Sequence, residues 1–226
     1  MGVIGKIIVS LMPFAPKFLV KRIAGRYVAG SELESAIDLM KGMSKENTCF
    51  TIDVLGEEIN DLEEARYFVD EYSRVLDSIV SNQIDAHISL KPTAFGLLID
   101  KNAALSNIEE ILKKAALNDI FVRLDMEDHR VTQETIDVVL EMQEKGFQNI
   151  GTVLQGRLFR TKEDIFAVSQ KLGPLADFRI CKGIYLESEE ISYTKYQDIV
   201  DSTNECIDLM LEKGCYTAVA SHDIPI

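Results

Sequence analysis

Residues able to do acid–base, anion-binding or carbonyl chemistry recur in this chain just after short apolar runs. Asp53 and Glu57 close the run 49–54, and Lys91 and Thr93 follow 86–90. Asp125 and Glu127 follow 120–124, and Gln155 and Arg157 follow 150–154. Arg179 and Lys182 frame the end of 178–181, and His222 and Asp223 follow 216–220. A lysine so placed can hold a carboxylate or, once deprotonated, form a Schiff base with a carbonyl. Two cations three residues apart, such as Arg179 and Lys182, suit phosphate or a developing negative charge. Gln155 donates and accepts at once, which fits the mixed edge of a heterocycle. His87, His129 and His222 have no ligand spacing, so no metal centre is expected. His87 lies mid-run and reads as a packed core histidine, and His129 reads as solvated. No GxGxxG or GxxxxGK[ST] occurs, which removes the usual dinucleotide and P-loop signals.

The elements that must position these residues follow from the apolar pattern. The six runs are short and nearly continuous, as in strands buried on both faces. Between them, 62–79, 108–117, 132–146, 162–172 and 196–214 carry apolar residues three and four apart, the helical period. Gly146 and Gly214 close two of them. Strand and helix alternate, one pair per roughly 30 residues, which predicts a parallel sheet of βα units. A polar residue at every strand end favours a barrel of the (β/α)8 type, in which all strand ends share one mouth. Six units are visible where a closed barrel has about eight strands and 250 residues. The expectation is therefore an α/β barrel cut to six units over 49–226, with an N-terminal helical segment over 1–48. Within 1–26 the chain is basic and apolar, interrupted by Pro13 and Pro16, and reads as an amphipathic helix, with a membrane-surface helix as the sharper alternative.

Composition narrows the function classes. Of 226 residues, 37 are acidic and 24 are Lys or Arg, a net charge of -13, so phosphate backbones are repelled and no nucleic-acid partner is expected. The four cysteines form no CxxC pair and suggest reduced thiols in a cytoplasmic protein. Cys181 reads as a small core residue.

Seven segments together resemble the proline dehydrogenase family: Arg26 to Gly30, Asp53 to Glu57, Ser89 to Thr93 with Gly96 and Leu97, Arg123 to Asp128, Val153 to Gln155 with Arg160 and Thr161, Arg179 to Tyr185, and Ala220 to Asp223. They occur in the family's order and span the chain. The resemblance implies a distorted barrel with FAD across its mouth and oxidation of L-proline to 1-pyrroline-5-carboxylate. Arg179 is then expected near the flavin N5, with Gln155, Lys182, Gly183, Ser221 and His222 also on the cofactor. Lys91 is expected on the proline carboxylate, Asp125 near its nitrogen and Tyr185 against the substrate. Glu57 is the family's acid that pairs with an arginine to close the site. That arginine, a second arginine and a tyrosine come in the family from a last strand and helix that this sequence does not contain. Gly156-Arg157 stands where the family has a small residue and an aromatic, Ile184 where it has alanine, and Ser221 where it has threonine. Family membership also implies a quinone or other electron acceptor and gives the basic segment 1–26 a peripheral membrane role. Two other readings stay open from the residues alone: a Schiff-base aldolase using Lys91 or Lys182, and a non-catalytic scaffold.

Overall fold

The computed structural model describes residues 32–226. The basic segment 1–26 and the Arg26 to Gly30 motif lie outside them. The chain divides into two compact units, 1–49 and 50–226. In the first, helix α1 spans Leu33–Met43 and a single 3-10 turn follows at Ser44–Glu46.

The second unit alternates strand and helix throughout: β1 Phe50–Asp53, α2 Leu62–Asn82, β2 Ala86–Leu90, α3 Lys101–Ala116, β3 Val122–Leu124, α4 Thr132–Glu144, β4 Ile150–Gln155, α5 Thr161–Leu172, β5 Asp177–Cys181, α6 Tyr196–Glu212 and β6 Tyr216–Val219. All neighbouring strands pair in parallel in the order β1-β2-β3-β4-β5-β6. Every strand therefore delivers its C-terminal end to the same side of the sheet.

Side-chain reach demands that the sheet curl. Arg179 on β5 touches Thr51 on β1 at 3.2 Å and His87 on β2 at 3.0 Å. Four strand spacings in a flat sheet would separate β5 from β1 by about 19 Å, beyond any side chain. The six strands thus form a curled half-barrel, the architecture expected from the polar strand ends. Its convex face carries Ile88, Leu90, Val122, Leu124, Ile150, Leu154, Phe178 and Ile180, all buried. The concave face is polar. Central β3 and β4 are buried at every residue, whereas β1 and β6, with one neighbour each among the described residues, are half exposed.

Local chemistry sets the helix ends. The Asp61 side chain accepts from the amides of Glu63 and Glu64 and starts α2. Asp100 accepts from Asn102 and Ala103, so α3 begins at Lys101, earlier than the apolar period indicates. Gly146 and Gly214 end α4 and α6 with positive φ, as the sequence predicts.

Candidate active site

The first group at the strand ends is a charged cluster on β1, β2, β3 and β5. Lys91 leaves β2 and points its Nζ at Asp53 Oδ2 (2.6 Å), with Asp125 Oδ2 at 3.7 Å. Asp125 takes the Ser89 hydroxyl at 2.5 Å, and Arg179 Nη1 lies 3.5 Å from its Oδ1. Two cations and two carboxylates from four strands thus meet on the concave face. Burial pulls Lys91 toward neutrality, but the Asp53 hydrogen bond and the charges of Asp53, Asp125 and Glu57 outweigh it and raise its pKa. Asp125 is also raised: burial dominates, and Ser89, Lys91 and Arg179 recover only part of the cost. Arg179 is lowered by burial and by the like charge of Arg123.

Beneath this cluster the concave face stays charged. Arg123 is 2% exposed and pairs with Asp177 at 2.6 Å. His87 is half-buried: its ring meets Phe121 edge-on with centroids 6.3 Å apart, as a packed histidine would, but its Nε2 faces polar groups. Its Nε2 lies 2.8 Å from Thr51 Oγ1 and 3.0 Å from Arg179 Nη2. Burial, with Arg123 and Arg179 nearby, lowers its pKa to about 4, so the ring is neutral and Nε2 accepts.

A second group centres on Glu127 and Thr93, which lie within the quoted motifs but carry no assigned role in the sequence reading. Glu127 is buried and accepts from Thr93 twice, from the amide at 3.0 Å and the hydroxyl at 2.5 Å. The Thr93 hydroxyl in turn accepts the Glu58 amide at 2.9 Å, and Gln155 Nε2 donates to the Glu127 carbonyl at 2.6 Å. The exits of β1, β2, β3 and β4 are thereby tied together. Burial pushes Glu127 up to about 7, against the two Thr93 hydrogen bonds that favour its charge. Its spacing two residues beyond Asp125 was the available signal.

The proposed cofactor residues are only partly gathered. Gln155 is 1% exposed and leaves its Oε1 without a hydrogen-bond partner. Gly183 (φ +95°) covers that oxygen so closely that an added Cβ would lie 2.5 Å from it. Lys182 pairs with Asp223, whose carboxylate also takes the Tyr196 hydroxyl at 2.8 Å, and Lys182 Nζ stands 5.3 Å from the Tyr196 ring centre. Ser221 and His222 are exposed beyond β6. Glu57 meets the Tyr185 hydroxyl at 3.2 Å, so two expected site residues from opposite ends of the unit do come together. Arg130 binds the adjacent Glu58 and not Glu57. His129 is half exposed but tethered, its Nδ1 2.6 Å from Glu187. Ile184 is exposed, and Arg157 turns its guanidinium onto the Tyr185 carbonyl.

Known proteins with this fold and sequence agree. A family model described as proline dehydrogenase matches residues 36–224. Proline dehydrogenase 2 of Bacillus subtilis (strain 168) is 34% identical over 200 residues, covering 88% of this chain and 65% of that protein. Proline dehydrogenase 1 of the same strain is 33% identical over 214 residues, 95% of this chain and 70% of the relative. The Deinococcus radiodurans proline dehydrogenase is 32% identical over 209 residues, 89% of this chain and 65% of the relative. The chain thus spans about two thirds of the length of these relatives. Among solved structures, proline utilization A from Bdellovibrio bacteriovorus, inactivated by N-propargylglycine, superposes with a TM-score of 0.83 at 22% identity. That likeness, over 94% of this chain and 27% of the larger protein, is one of fold. Matched across nearly all its described length and more than 30% identical to several of its members, the chain belongs to the proline dehydrogenase family.

Proposed function

We propose that this chain carries the working face of an FAD-dependent enzyme that oxidises L-proline to 1-pyrroline-5-carboxylate. The observation that carries the reading is the cluster of Lys91, Asp53, Asp125 and Arg179 at the strand ends of a proline dehydrogenase family barrel. Proline is a zwitterion, and a cluster of two cations and two carboxylates offers a partner to each end of it. Lys91, held charged, takes the substrate carboxylate. Asp125, whose pKa burial raises, is assigned the proton exchange with the ring nitrogen. The Tyr185 hydroxyl, anchored on Glu57, orients its ring against the substrate. A Schiff-base reading for Lys91 loses ground here, because such chemistry needs the free amine and its surroundings favour the ammonium.

The residues fit FAD. Gln155 Oε1 is a buried acceptor with no partner, beside a glycine where any side chain would intrude, and it is assigned to an imide N–H of the flavin. Arg179 offers a cation to the ring system, and Lys182, Ser221 and His222 offer a cation, a hydroxyl and an imidazole to the phosphates. Bound flavin supplies the redox step, taking a hydride equivalent from the carbon next to the proline nitrogen. The electrons leave to a quinone or another acceptor. The basic, apolar segment 1–26 is assigned to the membrane surface on which such an acceptor resides. No helix among the described residues is long and apolar enough to cross a membrane.

Titration of the purified protein with FAD tests the reading. Flavin fluorescence should be quenched on binding, and anaerobic proline should bleach the oxidised absorbance band. Lys182→Ala should weaken FAD binding. Lys91→Ala should leave FAD bound but raise the proline concentration needed for bleaching. A protein that takes up no FAD, or a Lys91→Ala variant that responds to proline unchanged, would overturn the assignment.

A further inference from the structure

One buried hydroxyl connects helix α2 to the charged cluster. Tyr72 lies in the middle of α2 and is 1% exposed, and its ring packs on Phe95 with centroids 5.6 Å apart. Its hydroxyl reaches up into the sheet, 2.9 Å from Asp53 Oδ1 and 2.6 Å from the Ser89 carbonyl, and accepts the Val54 amide at 3.1 Å. The other oxygen of Asp53 takes Lys91 at 2.6 Å. A continuous chain of contacts therefore runs from a helix residue, through a strand carboxylate, to a lysine in the mouth.

We propose that Asp53 and Tyr72 are positioning residues that fix where the Lys91 ammonium stands and keep it charged. Lysine is a point charge on a flexible stem and needs external contacts to hold one position. Asp53 gives Lys91 its shortest contact, whereas Asp125 is farther away and is already engaged by Ser89 and Arg179. Glu57 and Glu127 add charge from the exits of β1 and β3 but do not touch Lys91, and Arg179 stands beyond Asp125. The single Tyr72 hydroxyl proton is shared between the Ser89 carbonyl and Asp53 Oδ1, and this shared donor is what keeps Asp53 from rotating. Burial and the Asp53 charge hold the phenol protonated, so it remains a donor. Its partners, the Ser89 carbonyl and the Val54 amide, belong to the two strands that carry Lys91 and Asp53, so the brace also sets their register at the rim.

That Lys91 serves a substrate rests on the function proposed above. The brace does not, and its test reads Lys91 directly in the protein without cofactor. With 15N-labelled lysine, the Lys91 Nζ signal can be assigned by its loss in Lys91→Arg and titrated by NMR. Asp53→Asn should lower the Lys91 pKa by about one unit or more, and Asp125→Asn by less, because the closer opposite charge contributes more. Tyr72→Phe keeps the ring and removes one oxygen, and it should speed exchange of the Lys91 ammonium protons by up to about tenfold, the equivalent of one lost hydrogen bond. A second measurement needs no change at Tyr72: its hydroxyl proton should give a slowly exchanging downfield signal that Asp53→Asn shifts. An Asp53→Asn variant with unaltered Lys91 titration overturns the proposal. So does a Tyr72 hydroxyl signal indifferent to Asp53. Loss of proline response with both NMR results intact would instead count against the proposed function and leave the brace standing.

Discussion

Replacing Glu127 by glutamine should remove a pH-dependent cost from the folded state. Burial raises this carboxyl from 4.5 to about 7. Between those values the folded chain holds a proton that the unfolded chain has released, so stability falls as pH rises. The stability is full below about pH 4.5 and the loss is complete above about pH 7, which is the reverse of the usual salt-bridged carboxylate. At 1.36 kcal/mol per unit the loss comes to about 3 kcal/mol. The side chain is 3% exposed, so solvent does little to reduce it. The amide in Glu127→Gln cannot ionise and escapes that loss, but it offers one acceptor oxygen where Thr93 presents two donors. The missing contact costs about 1 kcal/mol at every pH. The variant should therefore be less stable than the parent by about 1 kcal/mol near pH 4, about equal to it near pH 5, and more stable by about 2 kcal/mol near pH 8. Urea unfolding followed by circular dichroism across that range gives the difference between the two proteins. His87, Asp125 and Asp177 titrate in both and cancel. A difference that stays constant with pH would mean that Glu127 ionises normally and that its burial carries no such cost.

Three further outcomes follow from contacts already described. Asp177→Ala strands the Arg123 guanidinium, which is 2% exposed, and should cost about 3–5 kcal/mol in urea unfolding. Gly156→Ala would place a Cβ 2.1 Å from Thr203 Oγ1 and 2.8 Å from its Cα on α6, and should lower the unfolding midpoint by the equivalent of about 1–3 kcal/mol. Gly183→Ala combines a φ of +95° with a Cβ 2.5 Å from Gln155 Oε1. Its stability should drop by about 1–2 kcal/mol, and FAD titration should show affinity falling well beyond that measured for Gly156→Ala.

The strands are legible in the sequence because β2 to β5 bury their convex face and each strand has a polar residue at its end or shortly after it. The β2 limits coincide with the apolar run 86–90, and β3 loses only Ile120 and Phe121 from its start. Helix α3 was read too short, since its first turn is set by Asp100 capping two amides and not by apolar period. The site divides in the same way. Lys91, Asp125 and Glu57 stand out by position at strand ends and Tyr185 by the resemblance, and the structure brings Glu57 and Tyr185 into contact. Tyr72 was not found, because its spacing in α2 is that of any core aromatic and only its hydroxyl matters. Glu127 stood in plain view but gave no sign of burial. His87 reads as a packed core histidine, and its ring does meet Phe121, but its polar contacts to Thr51 and Arg179 leave no mark on a strand that is apolar on its other side.

That polar concave face is what connects the fold to the proposed chemistry. A closed barrel ordinarily fills its interior with layers of branched apolar side chains. Here the inward-facing positions on β2, β3 and β5 and just past β3 include His87, Ser89, Arg123, Asp125, Asp177 and Arg179, which pair with one another although Arg123 Nε is left without a hydrogen-bond partner. Arg123 and Asp177 pair lowest. Above them Arg179 spans His87, Thr51 and Ser89, and reaches Asp125. His87 can accept from Arg179 only while neutral, and the two flanking arginines with burial keep it so. Arg179 and Asp125 are therefore held at the strand ends by His87, Thr51 and Ser89 together with each other. Lys91 is fixed separately, through Asp53 and Tyr72. Desolvating so many charges is costly, and an apolar filling would be the more stable solution. The arrangement makes sense as preorganisation: charged groups held in place before a zwitterionic substrate arrives need not reorganise when it binds.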